Sequence, residues 1–138
     1  MPAAGYSGTP LARKLGIRAG DTVLLADAPA GFAIPDPPDG LDIQHHPDEA
    51  DPFDVALWFP ADRADLAARL ADHRAAMHPA AGLWIAWPKR ASRIPTDLTE
   101  DVLREIALPT GLVDNKVCAV DETYSALRLV IRRELRGR

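Results

Sequence analysis

The chain has 138 residues, 47% of them hydrophobic and 26% charged, and a formal net charge of -4 at pH 7. This length fits one domain, with an N-terminal arm and short helix over 1–20 and an α/β core over 21–138. No apolar run approaches the roughly 18 residues of a membrane span, and residues 1–6 lack the regions of a secretory signal, so we expect a cytoplasmic protein with no membrane partner.

The charge is distributed unevenly along the chain. The stretch 21–72 holds twelve of the twenty acids, and its only bases are Arg63 and Arg69. From His73 onward bases outnumber acids, but they do not form the strong basic stripe that is typical of nucleic-acid binders. The charge pattern therefore disfavours nucleic acid as a partner.

The first elements are short. Thr9 as N-cap, Pro10 at the first helical position and Gly16 as the stop predict a helix over 11–16. The apolar run 22–26 predicts a strand buried on both faces. Four prolines make 27–40 a loop, and the alternation over 41–45 predicts a second, half-buried strand.

A strand, a helix and a strand follow. Residues 53–59 are an apolar strand that ends at Pro60. Apolar residues at helical spacing predict the longest helix over 62–78, and 83–87 is a third buried strand. This order makes a right-handed βαβ crossover.

The last part of the chain predicts one helix and two strands. Asp97 as N-cap, with an acid three residues later, resembles a capping box for a helix over 98–108. Strands over 116–120 and 126–133 can pair as an antiparallel hairpin. The alternation in the last strand indicates one face in water, and a homodimer could form through this exposed strand.

The element order over 53–133, with its terminal antiparallel pair, resembles the latter half of class I methyltransferases. The resemblance implies a three-layer, Rossmann-like α/β fold, with a mostly parallel sheet and a C-terminal antiparallel strand pair. Five stretches also resemble the uncharacterised bacterial family named domain of unknown function 3052: GYSGTPL (5–11), KLGI (14–17), WPK (87–89), PTDLT (95–99) and GLVDNKVCAVDET (111–123). That second resemblance spans almost the whole chain and implies no activity.

The sequence lacks the features with which such a fold holds a nucleotide-type cofactor. The turn after strand one, DAPAGF (27–32), has one glycine and a proline where a glycine-rich cradle is expected. Strand two ends in Gln44, His45 and His46 instead of an acid for the ribose hydroxyls. We therefore expect no S-adenosylmethionine in the usual binding mode, and no other cofactor is indicated.

The strongest site hypothesis is an anion site. Ligands collect beyond the carboxyl ends of strands in open α/β sheets, which places Asp27, Pro60 and Lys89 at one edge. A basic loop then leads to helix amides that favour a phosphate or carboxylate. The alternative is a solvated basic loop with an ordinary helix cap. The candidate ligand-binding residues are Asp27, Lys89, Arg90, Arg93, Asp97 and Thr99.

Other chemistry-bearing residues have simpler interpretations. Asp121 and Glu122 could divide acid and base roles in catalysis, or they could be part of a polar hairpin loop. Adjacent strand residues such as His45 and His46 point to opposite faces, so no metal site is expected. The single cysteine, Cys118, excludes an internal disulfide and is most simply an inert core residue.

Three functions are compatible with these observations. The first is a ligand-binding or protein-interaction module on a methyltransferase-like scaffold. The second is a small enzyme that acts on an anionic substrate, with Lys89 and Arg93 for binding and Asp121 or Glu122 for proton transfer. The third, which ranks last, is methyl transfer.

Overall fold

A computed structural model describes residues 9–47 and 52–136. Residues 1–8 of the predicted N-terminal arm lie outside this range. The described part is an α/β structure, as the sequence predicts. Its helices and strands are α1 (Leu11–Leu15), β1 (Thr22–Ala26), β2 (Asp42–Gln44), β3 (Phe53–Trp58), α2 (Arg63–Ala75), β4 (Met77–Pro88), α3 (Glu100–Ala107), β5 (Leu112–Ala119) and β6 (Tyr124–Ile131).

The described strands form one six-stranded mixed sheet in the order β2-β1-β3-β4-β6-β5. The first four are mutually parallel, and the pairs β4/β6 and β6/β5 are antiparallel. The predicted hairpin of the last two strands is therefore confirmed. The chain places β2 on one side of β1 and then returns to place β3 on the other side, so the strand order reverses at β1.

Apolar side chains are buried on both faces of the sheet. Alternation along β1 sends Leu24 into a cluster that also contains Leu66 of α2 and Leu103 of α3. Val23 points into a second cluster with residues of α1, including Leu15. Burial on both faces explains why the central strands are continuous apolar runs.

The helix termini differ from the predictions in position and in capping. The cap of α1 is Pro10 rather than Thr9 and makes no side-chain cap bond, whereas Gly16 ends the helix with φ 81° as expected. For α3 the predicted Asp97 cap is wrong, because the Thr99 hydroxyl accepts from the Val102 amide at 3.1 Å. Two residues in one short stretch could serve as caps, and propensity alone does not choose between them.

The end of the longest helix is also different. α2 ends at Ala75, and Met77 already belongs to β4, where it pairs with Phe53. A register shift then brings Gly82 opposite Val55. A buried Met77 fits helical spacing and strand pairing equally well, so periodicity placed it in the wrong element.

The last strand is an interior strand rather than the exposed one that the alternation indicates. β6 is hydrogen-bonded to β4 on one side and to β5 on the other, and Val130 is buried as well. The predicted dimer through this strand therefore has no free edge to use, since the edge on this side of the sheet is β5. No helix in the described part of the chain is both long enough and apolar enough to cross a membrane.

Candidate functional site

The carboxyl ends of the four parallel strands meet at one edge of the sheet. Asp27 follows β1, His45 follows β2, Phe59 follows β3 and Lys89 follows β4. Tyr124 at the start of β6 reaches the same edge, since it pairs with Pro88. The sequence-based placement of Asp27 and Lys89 on a common edge agrees with this pairing.

A cleft of about 610 Å³ opens at this edge, beyond the ends of β1, β3 and β4. In open α/β sheets the point at which strand order reverses is the usual place for a ligand. We call it the carboxyl-edge cleft. It is lined by Asp27, Pro29, Phe59, Pro60, Ala61, Asp65, Arg69, Pro88, Ile94, Pro95, Thr96 and Tyr124.

Aromatic rings form one side of the carboxyl-edge cleft. The rings of Phe59 and Tyr124 meet edge to face with centroids 5.1 Å apart, and Phe32 packs on Phe59 in the same way at 5.2 Å. Edge-to-face contacts of this kind favour one ring orientation by about 0.5–1.5 kcal/mol. The cleft therefore has a preformed apolar wall.

Asp27 connects the cleft to the core. Its backbone has φ 56°, in the left-handed region that a non-glycine residue rarely adopts and that is often found at functional sites. The Trp58 indole Nε1 donates to its carboxylate at 3.2 Å, and Arg69 forms an ion pair with the same oxygen. Arg69 also contacts Asp65 at 3.2 Å. The charges at the cleft are thus paired within the protein.

A second cavity, of about 510 Å³, lies beside the first and shares Asp27 and Arg69 with it. Its lining also includes His45, His46 and His73. The first two histidines follow the end of β2 rather than lying within it, so the alternation expected of strand residues does not separate them. Within residues 9–47 and 52–136, however, no three potential metal ligands are grouped to hold an ion.

His73 is the buried histidine of this second cavity. Its ring is 1% exposed and stacks on Trp58 at a centroid distance of 3.9 Å. Nδ1 donates to the Arg69 carbonyl at 2.9 Å, and Nε2 has no hydrogen-bond partner among the described residues. Burial is the main cause that lowers the pKa of His73 below 6.5. The imidazole is therefore neutral near pH 7, with the Nε2 lone pair unused.

The roles of Arg69 and His73 are not among those predicted from the sequence. Asp65, Arg69 and His73 follow one another at four-residue intervals, which places all three on one side of α2. This four-residue spacing is the sequence pattern from which their common position on α2 could have been predicted. The partner of Arg69, Asp27, is 42 residues away in the chain and comes close only through packing of α2 on the sheet.

The predicted basic loop does not gather around the cleft. The Lys89 ammonium donates to the Asp121 carbonyl at 2.7 Å, Arg90 starts a short 3₁₀ turn, and Arg93 ends it with φ 61°. None of the three is among the described residues that line the carboxyl-edge cleft. The same loop contributes Ile94, Pro95 and Thr96 instead.

Two amides near the start of α3, where an anion is predicted, already have partners: the Leu98 amide donates to the Thr96 hydroxyl at 3.0 Å and the Val102 amide to the Thr99 hydroxyl at 3.1 Å. The Asp97 carboxylate accepts from the Arg63 amide at the start of α2, at 2.8 Å. The Thr99 hydroxyl occupies the start of α3. Asp97 therefore hydrogen-bonds to the first turn of α2, whose N-cap is Asp62, and Thr99 is the cap of α3.

The catalytic candidates lie in the β5–β6 connection. The Asp121 carboxylate accepts from the amides of Thr123 and Tyr124, both at 2.8 Å, as a turn-forming side chain does. Glu122 is exposed. Cys118 is half-buried, and burial raises the pKa of its thiol, which keeps it protonated at neutral pH.

No family model matches the chain, and no curated protein matches it. The geometry of the two adjoining cavities is therefore the basis for a functional assignment.

Proposed function

We propose that the protein is a small-molecule-binding module on a three-layer, Rossmann-like scaffold of the methyltransferase type, and that it does not use S-adenosylmethionine. The observation that carries the proposal is the position of the carboxyl-edge cleft, at the reversal of strand order between β1 and β3. Its volume is in the range of small-molecule sites.

The scaffold assignment is supported by sheet order and by the distribution of helices. Four parallel strands are followed by an antiparallel pair, which is the order that the methyltransferase resemblance implies. Residues of α1 belong to one apolar cluster, and residues of α2 and α3 belong to the other. The shared sequence stretches are the basis for proposing, in addition, membership of the family domain of unknown function 3052.

The lining favours a ligand with a flat apolar group. Phe59, Tyr124 and four prolines supply apolar surface, while Arg69 is neutralised by Asp27 and Asp65. A cleft with internally paired charges does not require a charged ligand. The Thr96 hydroxyl and the Asp27 carboxylate at the rim of the cleft can orient the ligand by hydrogen bonds to its polar groups.

The proposal that the protein does not use S-adenosylmethionine is based on the two elements that would bind this cofactor. The turn after β1 closes with a hydrogen bond from the Phe32 amide to Pro29 at 3.0 Å, and Gly31 is its one glycine. At the end of β2, His45 Nδ1 lies 3.1 Å from the Leu25 carbonyl oxygen, where an acid would bind ribose hydroxyls. The alternative of an enzyme for anionic substrates has weaker support, because Lys89 and Asp121 hydrogen-bond within the hairpin region.

A fragment screen by protein-observed NMR tests the proposal. The screen uses a library of small aromatic compounds, wild-type protein and two variants, Ile94→Asp and Val117→Asp. Both side chains are exposed, at 42% and 49%, but only Ile94 lines the cleft. We expect bound compounds to perturb the amides of Phe59, Ala61 and Ile94. Binding to Ile94→Asp should be weaker by about tenfold, or ~1.4 kcal/mol, because a carboxylate enters an apolar wall.

The matched control is Val117→Asp, which adds the same charge on β5 and should leave affinity unchanged. Compounds that perturb amides elsewhere, or that bind both variants equally, would contradict the assignment of this cleft as the ligand site.

A further inference from the structure

A third cavity, of about 590 Å³, lies on the α1 side of the sheet and shares no lining residue with the carboxyl-edge cleft. Three arginines line it: Arg13 on α1, Arg18 just after α1 and Arg128 on β6. The single acid in its lining is Asp36. In a protein with a net charge of -4, this is a local excess of positive charge.

Arg128 lies near the middle of β6, between β4 and β5. It pairs with Trp84 of β4 and with Lys116 of β5, and its side chain is half-buried. Across residues 9–47 and 52–136 it has neither a hydrogen-bond nor an ion-pair partner. Burial and the neighbouring Arg136 lower its pKa. A partly buried charge without a partner costs free energy that a bound anion would recover.

The sheet makes room for this guanidinium at a glycine. A Cβ at position 82 would lie 2.6 Å from Arg128 Nε and 3.1 Å from one of its terminal nitrogens. No side chain fits at Gly82 unless the guanidinium moves. Gly82 of β4 therefore leaves free the space that the Arg128 guanidinium occupies.

The other two arginines, Arg13 and Arg18, add positive charge to the lining of the cavity. Arg13 and Arg18 are exposed and, like Arg128, have no ion-pair partner in the described part of the chain. Guanidinium groups bind phosphate oxygens in a two-pronged geometry, which makes arginine the preferred side chain for phosphate recognition. Ile17 in the same lining can contact an apolar part of a ligand.

We infer that this cavity is a binding site for a phosphate-bearing small molecule, with the half-buried Arg128 as its central contact. The site is separate from the proposed function of the carboxyl-edge cleft. It also differs from the basic loop Lys89, Arg90 and Arg93, none of which lines it.

Isothermal titration calorimetry of the full chain with inorganic pyrophosphate at low ionic strength tests the inference. Wild type is compared with Arg128→Gln and with the control Arg90→Gln, which removes the same charge from an exposed loop. We expect Arg128→Gln to weaken binding by about tenfold or more, since one charge-assisted contact is lost. Arg90→Gln should change affinity less than about twofold.

A second variant, Gly82→Ala, keeps all charges but moves the Arg128 guanidinium away from its position beside residue 82. Affinity should fall in this variant too, with a native circular dichroism spectrum as the check on folding. The inference is overturned if wild type does not bind pyrophosphate, or if Arg90→Gln and Arg128→Gln weaken binding equally. It is also overturned if only the double variant Lys89→Ala with Arg93→Ala loses binding.

Discussion

His73 joins the candidate site to the core. Its ring stacks on Trp58, and the Trp58 indole in turn donates to Asp27 at the rim of the cleft. The backbone carbonyl of Arg69 fixes its tautomer. A neutral, buried imidazole at this position ties the stability of the site to pH.

Lowering the pH should therefore destabilise the protein through His73. Its native pKa lies below 6.5, so between these two values the unfolded chain binds a proton that the folded chain does not. The free energy of unfolding should decrease as pH falls through this window, by at most about 1.4 kcal/mol per pH unit from one proton. Urea unfolding of wild type and His73→Phe at about pH 7.5 and about pH 5.5 measures this.

We expect the decrease to be smaller in His73→Phe, which keeps a ring against Trp58 but cannot titrate. An identical pH dependence in wild type and His73→Phe would show that His73 is not the group involved.

At the scale of residues, the sequence identifies edge positions but not their partners. Asp27 follows a buried strand, so its place at the sheet edge is predictable from the chain alone. Its contacts with Trp58 and Arg69 join residues 31 and 42 positions apart and depend on how α2 packs on β1 and β3. Local patterns do not contain that packing.

Helix ends show the same limit at the scale of elements. Asp97 is a residue type that favours capping the helix that follows it. Its carboxylate instead accepts from the Arg63 amide in the first turn of α2, next to Asp62, the N-cap of that helix. Thr99 takes the local role. The element itself is predictable from periodicity, whereas the choice of cap depends on which amide the tertiary structure brings near.

Asp97→Ala should therefore destabilise α2 rather than α3. The variant loses the charge-assisted hydrogen bond from the Arg63 amide while Asp62 remains the N-cap of α2, and we expect a cost of about 1 kcal/mol. Hydrogen exchange should show the increase in opening at the first amides of α2, including Arg63, and urea unfolding should show the loss in total stability.

Asp101→Ala provides the comparison, since Asp101 lies in the first turn of α3 with its side chain 97% exposed. This change should cost no more than about 0.5 kcal/mol. Faster exchange confined to α3 in Asp97→Ala would contradict the assignment of the Asp97 hydrogen bond to α2.

The whole molecule combines a predictable sheet with a less predictable site. Apolar runs and alternating patterns predicted the six strands of the described chain, although β4 and β5 begin at Met77 and Leu112, before the predicted starts at 83 and 116. The order of elements gave the βαβ unit and the final hairpin. The interior position of β6 required the long-range pairing of Leu83 with Leu129, which no local alternation reveals. The sheet topology predicts the position of the cleft. Its aromatic wall could not be predicted, because it depends on the long-range contact between Phe59 and Tyr124 across the sheet edge.

The proposed function requires that the cleft at this sheet edge does not bind S-adenosylmethionine. A thermal-shift titration with S-adenosylmethionine in large excess tests it most directly, because a ligand at a hundredfold its dissociation constant adds about 2.7 kcal/mol to stability. We predict no change in the Tm of the wild-type protein. An increase in Tm that is lost in Ile94→Asp and kept in Val117→Asp would contradict the claim.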